Sequence, residues 1–330
     1  MSTVLVTGGA GFMGAHVTRE LLNSGHDVVV VDDLSGGFER NVDPRASLVC
    51  ADVCDCQRMS LLFKEHGFEY IFHLAAYAAE GLSHFIKRFN YNNNLIGSVN
   101  LINEAVKHNA KCFVFTSSIA VYGTNRTPMT EDLAPQPEDP YGIAKYAVEM
   151  ELEVTRKMFG LQYIVFRPHN VYGEFQNMGD KYRNVIGIFM NQLMQGQPMT
   201  IFGDGEQTRA FSYIAGVSEV IARSISEPKA YNQVFNIGGD NVYTVNHLAK
   251  AIAMAMGCEA KIKHLDARHE VKHAFCNHSK VKEYFSVKDE VPLEEGLRRM
   301  AEWAKTIGSC KSKPFENIEV EKNMPPSWRI

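Results

Sequence analysis

Tyr141 and Lys145 are the two residues of this 330-residue chain whose spacing points most directly to chemistry. They are four residues apart in "PYGIAKYAVE", so on a helix they share one face. An ammonium group beside a phenol favours the phenolate, and it lowers a pKa that is ordinarily near 10 towards the range of a general base. Ser118, at the end of the strand-like run "CFVFTSS", can relay a proton or hold a substrate hydroxyl. The three residues together predict a proton-transfer site.

A tyrosine and a lysine at this spacing are also typical of a solvated helix face. Two neighbouring features favour the proton-transfer site instead. Pro140 fixes the start of the helix directly before Tyr141. The strand that ends in Ser118 leads to the edge of a sheet where ligands bind in open α/β folds.

A second motif, "TGGAGFMG" at residues 7–14, repeats glycine every third residue at Gly8, Gly11 and Gly14. It lies between a strand-like run and a helix-like run. One reading of the motif is a tight turn that binds no ligand. Asp32, however, ends the next strand-like run. Glycines in this context let a pyrophosphate approach the backbone in front of a helix N-terminus. An acid at the end of the second strand accepts hydrogen bonds from an adenosine ribose and repels a 2′-phosphate, so the motif predicts NAD rather than NADP.

Short apolar runs alternate with helix-period segments along the first half of the chain. This alternation predicts an α/β fold, a doubly wound parallel sheet with helices on both faces. The predicted strands are residues 4–8, 27–33, 47–52, 70–76, 112–118 and 163–170. We expect residues 1–174 to form the dinucleotide-binding domain, to which some later strands or helices return. Residues 175–330 are expected to form mostly a smaller substrate-binding cap, followed by a polar tail that wraps the surface or is mobile.

Composition excludes several other classes of protein. The net charge is −4 and no run is rich in Lys or Arg, so we expect no nucleic-acid partner. No apolar stretch is long enough to span a membrane, and no signal peptide precedes the first strand. The seven scattered cysteines favour reduced thiols and a cytoplasmic location. Cys54 and Cys56 lack a second Cys/His pair at metal-binding spacing, so we expect no metal site.

In its ordered motifs the chain resembles the extended short-chain dehydrogenases/reductases, specifically the NAD-dependent nucleotide-sugar epimerase/dehydratase group. The motifs are "TGGAGFMG", "VDD", "HLAA", "TSSIAVYG", "YGIAK", "RPHNVYG" and "DGEQTRAFSYI", and the resemblance covers about residues 3–310. It implies a Rossmann-type fold with NAD as cofactor. It also implies that Tyr141 is the catalytic base, that Lys145 holds the nicotinamide ribose, and that Ser118 binds the sugar hydroxyl.

The same resemblance implies two larger sets of contacts. The cofactor would contact Gly8, Gly11, Phe12, Met13, Gly14, Asp32, Asp33, Asp52, Val53, Leu74, Ala75, Ala76, Asn94, Thr116, Tyr141 and Lys145. The nucleotide sugar would contact Tyr77, Ser118, Tyr141, Asn170, Lys181, Arg183 and Arg209, with Asn170 and Arg209 at the diphosphate.

Ile119 and Ala120 help to choose the reaction within this group. Members that eliminate water carry Asp-Glu beside the catalytic residue, and decarboxylating members tend to carry a Glu in this stretch; this chain has neither. We therefore expect 4-epimerisation of a nucleotide sugar through a transient 4-keto intermediate, with UDP-glucose and UDP-galactose as the leading pair. UDP-glucuronate is the first alternative, because Lys181 and Arg183 could meet its carboxylate. The further alternatives are a 4,6-dehydratase, a keto-sugar reductase and a non-enzymatic dinucleotide-binding scaffold.

Two predicted helices carry apolar residues on more than one face, namely residues 94–109 and 142–158. Such helices need a partner, either the cap of the same chain or a second subunit. As the resemblance also suggests, we expect a homodimer joined through a four-helix interface.

Overall fold

The computed structural model describes residues 2–267, 271–287, 290–312 and 314–328. The strands are β1 Thr3–Thr7, β2 Asp27–Asp32, β3 Ser47–Cys50, β4 Tyr70–His73, β5 Cys112–Thr116, β6 Tyr163–Pro168, β7 Val171–Tyr172, β8 Met199–Phe202, β9 Thr208–Ala210, β10 Ser212–Tyr213, β11 Gln233–Ile237, β12 Val242–Thr244, β13 Ile262–Leu265 and β14 His273–Ala274. The helices are α1 Phe12–Asn23, α2 Cys56–His66, α3 Glu80–Ser83, α4 Lys87–Tyr91, α5 Gly97–Lys107, α6 Pro140–Phe159, α7 Val185–Met194, α8 Ile214–Arg223, α9 Val245–Met256, α10 Ser279–Tyr284 and α11 Leu293–Ile307.

Seven of the described strands form one parallel sheet in the order β11-β6-β5-β4-β1-β2-β3. Its strands are apolar on both faces because helices cover both. In β2, Val28 and Val30 pack towards α1 and α8, whereas Val29 and Val31 pack towards α2, α5 and α6. Burial on both sides produces the continuous apolar runs that the sequence shows. The predicted α/β, doubly wound fold is confirmed.

The strand order reverses at β1. β2 and β3 follow on one side of it, and β4, β5, β6 and β11 lie on the other. The loops that leave β1 and β4 therefore turn to opposite sides, and they open a crevice at the carboxyl edge of the sheet. A cavity of about 500 Å³ occupies this edge.

A second core, built around α7, α9 and α11, lies above that edge and includes Phe189, Leu248 and Leu297. We refer to this part as the cap. Between α7 and α9 the chain leaves the cap, because α8 and β11 pack with the large sheet. These returns agree with the expectation that later elements rejoin the sheet. A division into two domains at residue 174 stays a prediction.

The bounds of α6 follow from its local sequence. Asp139 caps the N-terminus by accepting a hydrogen bond from Gly142 N at 2.9 Å, and Pro140 occupies the first turn. Gly160 ends the helix in the left-handed region at φ +79°. Other bounds also differ from the prediction. For example, β5 stops at Thr116, two residues before Ser118, and a π-helical turn, Asn92–Ile96, precedes α5.

The polar tail is ordered against the molecule as far as it is described. We call residues 314–328 the strap. Met324 and Trp328 are buried with Leu82 and Ile86 in a small apolar cluster that bridges the strap and the region of α3 and α4. Of the two expected behaviours, the tail therefore shows wrapping rather than mobility.

Within the described ranges, no helix combines the length and the apolar character needed to cross a membrane.

Two glycines in helices that pack against each other make a matched stability test. A Cβ on Gly14 would lie 2.1 Å from Gly8 O, whereas a Cβ on the exposed Gly216 meets nothing within 4 Å. We expect Gly14→Ala to lower the free energy of unfolding by about 2 kcal/mol or more through backbone displacement. Gly216→Ala should raise it by about 0.8 kcal/mol through helix propensity. Urea unfolding measures both, and equal effects of the two substitutions would contradict the packing described here.

Candidate active site

The cavity at the carboxyl edge of the sheet brings together the loops that follow β1, β2, β4, β5 and β6 and the facing side of the cap. Parallel strands expose their carboxyl ends at the same edge, so motifs far apart in sequence meet there. Ser118, Tyr141 and Lys145 line the cavity, as do Gly8 and Asp32. The proton-transfer residues and the glycine motif therefore share one cavity.

The glycine motif forms an anion site at the start of α1. Gly8 has φ +72°, and a Cβ there would lie 2.7 Å from Ala75 N on the facing loop. The N-cap residue Gly11 has no side chain to accept from the free N–H groups, and the first turn carries no acidic residue. The N-terminal partial charge is therefore left for a ligand, as a pyrophosphate requires. Gly14 lies beneath this turn and allows α1 to pack on the Gly8 carbonyl.

Asp32 lies at the end of β2 and is held by the backbone. Its two carboxylate oxygens accept from Ala10 N at 3.0 Å and from Leu34 N at 2.9 Å. Burial raises its pKa, and these N–H groups oppose the rise. One lone pair of each oxygen is still able to accept, and the side chain lines the cavity. A ribose diol fits this carboxylate, and a 2′-phosphate does not.

Most of the predicted cofactor residues line the cavity. They are Gly8, Gly11, Phe12, Met13, Asp32, Asp33, Asp52, Val53, Leu74, Ala75, Ala76, Thr116, Tyr141 and Lys145. In the described part of the chain, Thr116 Oγ1 is buried without a hydrogen-bond partner. An unpaired buried hydroxyl on the wall is consistent with a polar ligand in this cavity.

Asn94 is not on the cavity wall, contrary to the expectation. It is buried behind the wall, accepts from Tyr77 N at 2.9 Å and donates to Tyr77 O at 3.2 Å. Its neighbour Asn93 lines the cavity instead. Both asparagines belong to the π-helical turn that precedes α5, and a cofactor contact of Asn94 stays a prediction. Asn94 fixes the backbone that presents Tyr77.

Tyr141, Lys145 and Ser118 lie close together on the wall of the cavity. The Ser118 side chain is bonded to the Tyr141 phenol and also accepts from Ala120 N at 3.1 Å. Lys145 Nζ donates to Thr116 O at 2.8 Å and lies 5.8 Å from the centre of the Tyr141 ring. Both side chains are almost completely buried.

The protein alone does not lower the pKa of Tyr141. Burial is the largest influence and raises it, although the hydrogen bond from Ser118 opposes the rise. Burial also lowers the pKa of Lys145 to about 7, and the negative charge of Glu149 acts against this. The expected lowering of the Tyr141 pKa is thus not found. Burial is the largest influence on both groups, and it favours their neutral forms.

A buried ion pair lies behind the catalytic group. Arg167 Nε donates to Glu149 Oε1 at 2.9 Å, and Arg167 also donates to the Tyr122 hydroxyl at 2.7 Å. Ser117 donates its hydroxyl to the same Glu149 carboxylate. Tyr122 in turn donates to Asn236 Oδ1 at 2.8 Å. The network ties α6 to β5, β6 and β11.

Asn170 and Arg209 lie on the cap side of the cavity. Asn170 adopts φ +41° and donates to Ala210 O at 3.0 Å, which fixes the turn after β6. The Arg209 guanidinium donates to the backbone carbonyls of Val271 and Lys272. Both residues line the cavity, so a ligand there meets the positive charge of Arg209.

Arg183 and Lys181 were both predicted to contact the nucleotide sugar, but they differ in their position relative to the cavity. Arg183 lines the cavity, pairs with Asp180 at 2.8 Å, and stacks over the Tyr77 ring at 4.8 Å. The Tyr77 phenol is also hydrogen-bonded to Asp180, and burial raises its pKa. Lys181 is not on the cavity wall, and its ammonium lies over the ring of Tyr182. A contact between Lys181 and the substrate stays a prediction.

Two carboxylates lie beside Tyr141, and one of them, Asp139, was missed in the sequence. Asp139 and Glu80 line the cavity, and both raise the pKa of the Tyr141 phenol. Burial and the charge of Glu80 raise the pKa of Asp139 itself to about 7. Asp-Pro directly before Tyr141 is a helix N-cap signal that could have located Asp139.

The fold and this cavity define a class: doubly wound proteins that bind a dinucleotide beside a Ser–Tyr–Lys group. The chain belongs to the NAD dependent epimerase/dehydratase family, whose model matches residues 4–238. The resemblance seen in the motifs is confirmed. The cofactor of this family is NAD, in agreement with Asp32.

Similar proteins act on several nucleotide sugars. The chain is 32% identical over 305 residues to a putative UDP-glucose 4-epimerase of Methanocaldococcus jannaschii, and the match covers 92% of this chain and 98% of the relative. It superposes on UDP-glucose 4-epimerase of Thermotoga maritima solved with UDP-glucose, with TM-score 0.88, 36% identity and coverage of 92% and 99%. It is also similar to UDP-glucuronic acid 4-epimerase of Bacillus cereus, solved with UDP-glucuronic acid and NAD, with TM-score 0.85, 27% identity and coverage of 92% and 99%.

The lowered pKa of Lys145 predicts a pH dependence of stability. Between about pH 7 and the ordinary lysine value of 10.5, the unfolded chain holds a proton that the folded, cofactor-free chain does not. The free energy of unfolding should therefore rise with pH through this window, relative to Lys145→Met. Urea titrations of NAD-stripped protein measure the difference, with Lys250→Met at an exposed site of α9 as control. Parallel curves for wild type and Lys145→Met would contradict the pKa shift.

Proposed function

We propose that the protein interconverts a UDP-hexose with its C4 epimer, with UDP-glucose and UDP-galactose as the leading pair. One observation carries the proposal: the hydrogen-bonded Tyr141–Ser118 pair and Lys145 line the same cavity as the dinucleotide site. A sugar carbon held at Tyr141 is thus within reach of a cofactor bound along the glycine motif. The reaction needs one base, a held cofactor and a cavity in which the sugar can turn.

Each residue of the group has a distinct role in this proposal. Tyr141 takes the proton from the C4 hydroxyl, and Ser118 steadies the oxygen that becomes the ketone. Lys145 supplies positive charge beside the phenol. When bound, NAD supplies the site that accepts and returns the C4 hydride. The 4-keto sugar then presents its other face, and Tyr141 returns the proton.

Elimination of water is disfavoured by the surroundings of Ser118. Ile119 and Ala120 offer no acid to a leaving hydroxyl. Asp139 is close to Tyr141, but its carboxylate is taken up in capping α6 through Gly142 N. A carboxylate committed to a helix cap is poorly placed to protonate a leaving group.

UDP-glucuronate is the second candidate, because Arg183 lines the cavity and could meet a carboxylate. Its guanidinium is already paired with Asp180 and stacked on Tyr77. A uronate would have to share this ion pair. An uncharged hexose needs no such rearrangement, so we place it first.

The decisive experiment is incubation of the NAD-loaded protein with UDP-glucose, UDP-galactose, UDP-glucuronate and dTDP-glucose, followed by product identification. The proposal expects the C4 epimer of a UDP-hexose with unchanged mass. A product that has lost water or carbon dioxide would assign a dehydratase or a decarboxylase. Complete absence of turnover, with NAD still bound, would favour a dinucleotide-binding scaffold.

We further propose that the protein is a homodimer. The outward face of α6 carries an apolar stripe formed by Ile143, Ala147, Met150, Val154 and Met158, and Val154 is 59% exposed. Ile96, beside α5, is 47% exposed next to it. A helix face of this composition needs a partner, and a second copy of α5 and α6 offers the same apolar surface.

Removing the Tyr141 hydroxyl tests the mechanism. Tyr141→Phe should lower kcat by about a hundred-fold or more, because the general base is lost while the ring still fills its site. The matched control is Tyr146→Phe, a tyrosine of the same helix that packs against the cluster around Val121. Both variants should retain NAD, as checked by mass spectrometry after denaturation. Undiminished turnover in Tyr141→Phe would exclude this mechanism.

A charge on the stripe tests the dimer. Val154→Glu should convert a dimer into a monomer at micromolar concentration, because two carboxylates would be buried without partners. Light scattering gives the mass of each form. Met254→Glu is the control, since Met254 is 74% exposed on α9, away from the stripe. A wild-type monomer, or a Val154→Glu dimer, would refute the interface.

A further inference from the structure

Two buried histidines, His169 and His278, form a pair at the wall of the active-site cavity. Their Nε2 atoms are 2.9 Å apart, and their rings are stacked with centres 5.0 Å apart. Each residue is 2% exposed. His169 follows β6 and lines the cavity, and His278 lies behind it, directly before α10. The roles proposed above do not use this pair, which we call the histidine pair.

Both ends of the histidine pair contact groups that can only accept hydrogen bonds. His169 Nδ1 lies 3.3 Å from Ala210 O, and His278 Nδ1 lies 2.6 Å from Asp240 Oδ1. Burial tends to raise the pKa of Asp240, but the hydrogen bonds from Lys282 and His278 outweigh it and lower this pKa. Asp240 is therefore ionised at neutral pH. A carbonyl oxygen and an ionised carboxylate carry no hydrogen to donate.

Counting hydrogens gives the protonation state that this geometry favours. Three contacts run from Ala210 O through the two rings to Asp240 Oδ1, and each needs one hydrogen on a ring nitrogen. Two neutral imidazoles carry only one N–H each. One additional proton makes the pair an imidazole and an imidazolium, and it completes all three contacts. The geometry therefore favours a histidine pair with one extra proton.

The surroundings make this extra proton weakly held. Burial is the largest influence on both rings and lowers the pKa of each, whereas the charge of Asp240 acts in the opposite direction. Lys282 also lowers the pKa of His278, and Glu131 raises it. Glu290 accepts from Asp240 N at 3.1 Å and adds a negative charge on that side. We therefore expect the extra proton to bind below the ordinary histidine pKa of 6.5.

Loss of the extra proton breaks the contact at Ala210. The hydrogen bond from His278 to Asp240 is retained, because hydrogen bonds to an ionised group are the stronger ones. His278 Nε2 is then without hydrogen and accepts the N–H of His169. His169 Nδ1 is left with a lone pair that faces Ala210 O, and two acceptors in contact repel each other.

The carbonyl of Ala210 also anchors Asn170, whose Nδ2 donates to it at 3.0 Å. Asn170 and Arg209 line the cavity together with His169, and these first two are the residues expected at the diphosphate. The extra proton thus has two effects on this wall. It secures the carbonyl that fixes Asn170, and it adds positive charge where a diphosphate would lie.

We propose that His169 and His278 are positioning residues that strengthen the binding of the nucleotide-sugar diphosphate by taking up one proton. This inference rests on the proposed function, since it takes a UDP-sugar as the ligand. A proton that favours ligand binding is itself bound more tightly when the ligand is present. Binding of the UDP-sugar therefore draws a proton into the histidine pair, and affinity falls as the pH rises through its titration.

The test is calorimetric titration of the NAD-loaded protein with UDP-glucose, whose diphosphate is a diester and does not titrate near neutral pH. Repeating each titration in buffers of different ionisation enthalpy gives the proton uptake on binding. The Kd of wild type should rise about fivefold between about pH 5.5 and about pH 7.5, a coupling at the lower end of the usual range. His278→Gln should bind with a Kd close to the high-pH value of wild type and should take up fewer protons.

Asp240→Asn is a second, milder variant, because the Asp240 side chain is 48% exposed. It removes the charge that favours the extra proton, so the pH dependence of Kd should move to lower pH. His247→Gln, at an exposed position of α9, is the matched control and should behave as wild type. Asp139 also titrates beside the cavity, with a pKa raised by burial to about 7. The difference in uptake between wild type and His278→Gln, rather than the total, therefore measures the histidine pair.

Equal proton uptake by wild type and His278→Gln would overturn the inference, as would a pH dependence that Asp240→Asn leaves in place. If UDP-glucose is epimerised without this difference in uptake, the proposed function stands and the inference alone fails. If the difference is found without epimerisation, the proposed function alone fails. If UDP-glucose does not bind at any pH, both are refuted.

Discussion

The ion pair between Glu149 and Arg167 is the interaction on which the geometry of the site depends. Both side chains are buried, and Glu149 lies one helical turn beyond Lys145 on α6. Its carboxylate also accepts from Ser117, the residue before Ser118. One ion pair therefore fixes α6 against β6 and the end of β5 at once. Removing one partner of a buried pair typically costs about 3–5 kcal/mol, so the position of α6 is strongly determined.

The burial that surrounds this ion pair also shifts the pKa values of Tyr141 and Lys145. In the cofactor-free cavity, burial raises the pKa of Tyr141 and lowers that of Lys145, so both groups favour their neutral forms. The carboxylates of Asp139 and Glu80 add negative charge near the phenol and act in the same direction. Positive charge beside the phenol opposes these influences.

Sequence patterns predicted the sheet and most of the cavity wall for a simple reason. Strands buried on both faces leave apolar runs such as "DVVVVD", and residues four apart share a helix face, as Tyr141 and Lys145 do. β11 was not located, because "QVFNI" is short, contains two polar residues and pairs with β6 from about 70 residues away.

What the sequence could not predict depends on distance in space. The Glu149–Arg167 pair joins residues on different elements, and no local spacing indicates it. The direction of the Tyr141 pKa shift was predicted wrongly, because spacing along a helix gives proximity but not burial. Lys181 and Arg183 are two residues apart in one loop, yet only Arg183 reaches the cavity. The strap was expected to wrap or to move, and nothing in its composition indicated that Trp328 and Phe315 would reach the region around Tyr77.

Helix α6 is engaged on both sides, and this restricts how its sequence can change. Its inner face carries Tyr141, Lys145 and Glu149, and its outer face carries the apolar stripe. Each residue of an α-helix advances the side-chain direction by about 100°. Inserting or deleting a single residue between Lys145 and Glu149 would therefore rotate the ion pair out of register with the base. Substitutions at other positions of α6 leave both faces in register, whereas a change of length between Lys145 and Glu149 disrupts the inner face.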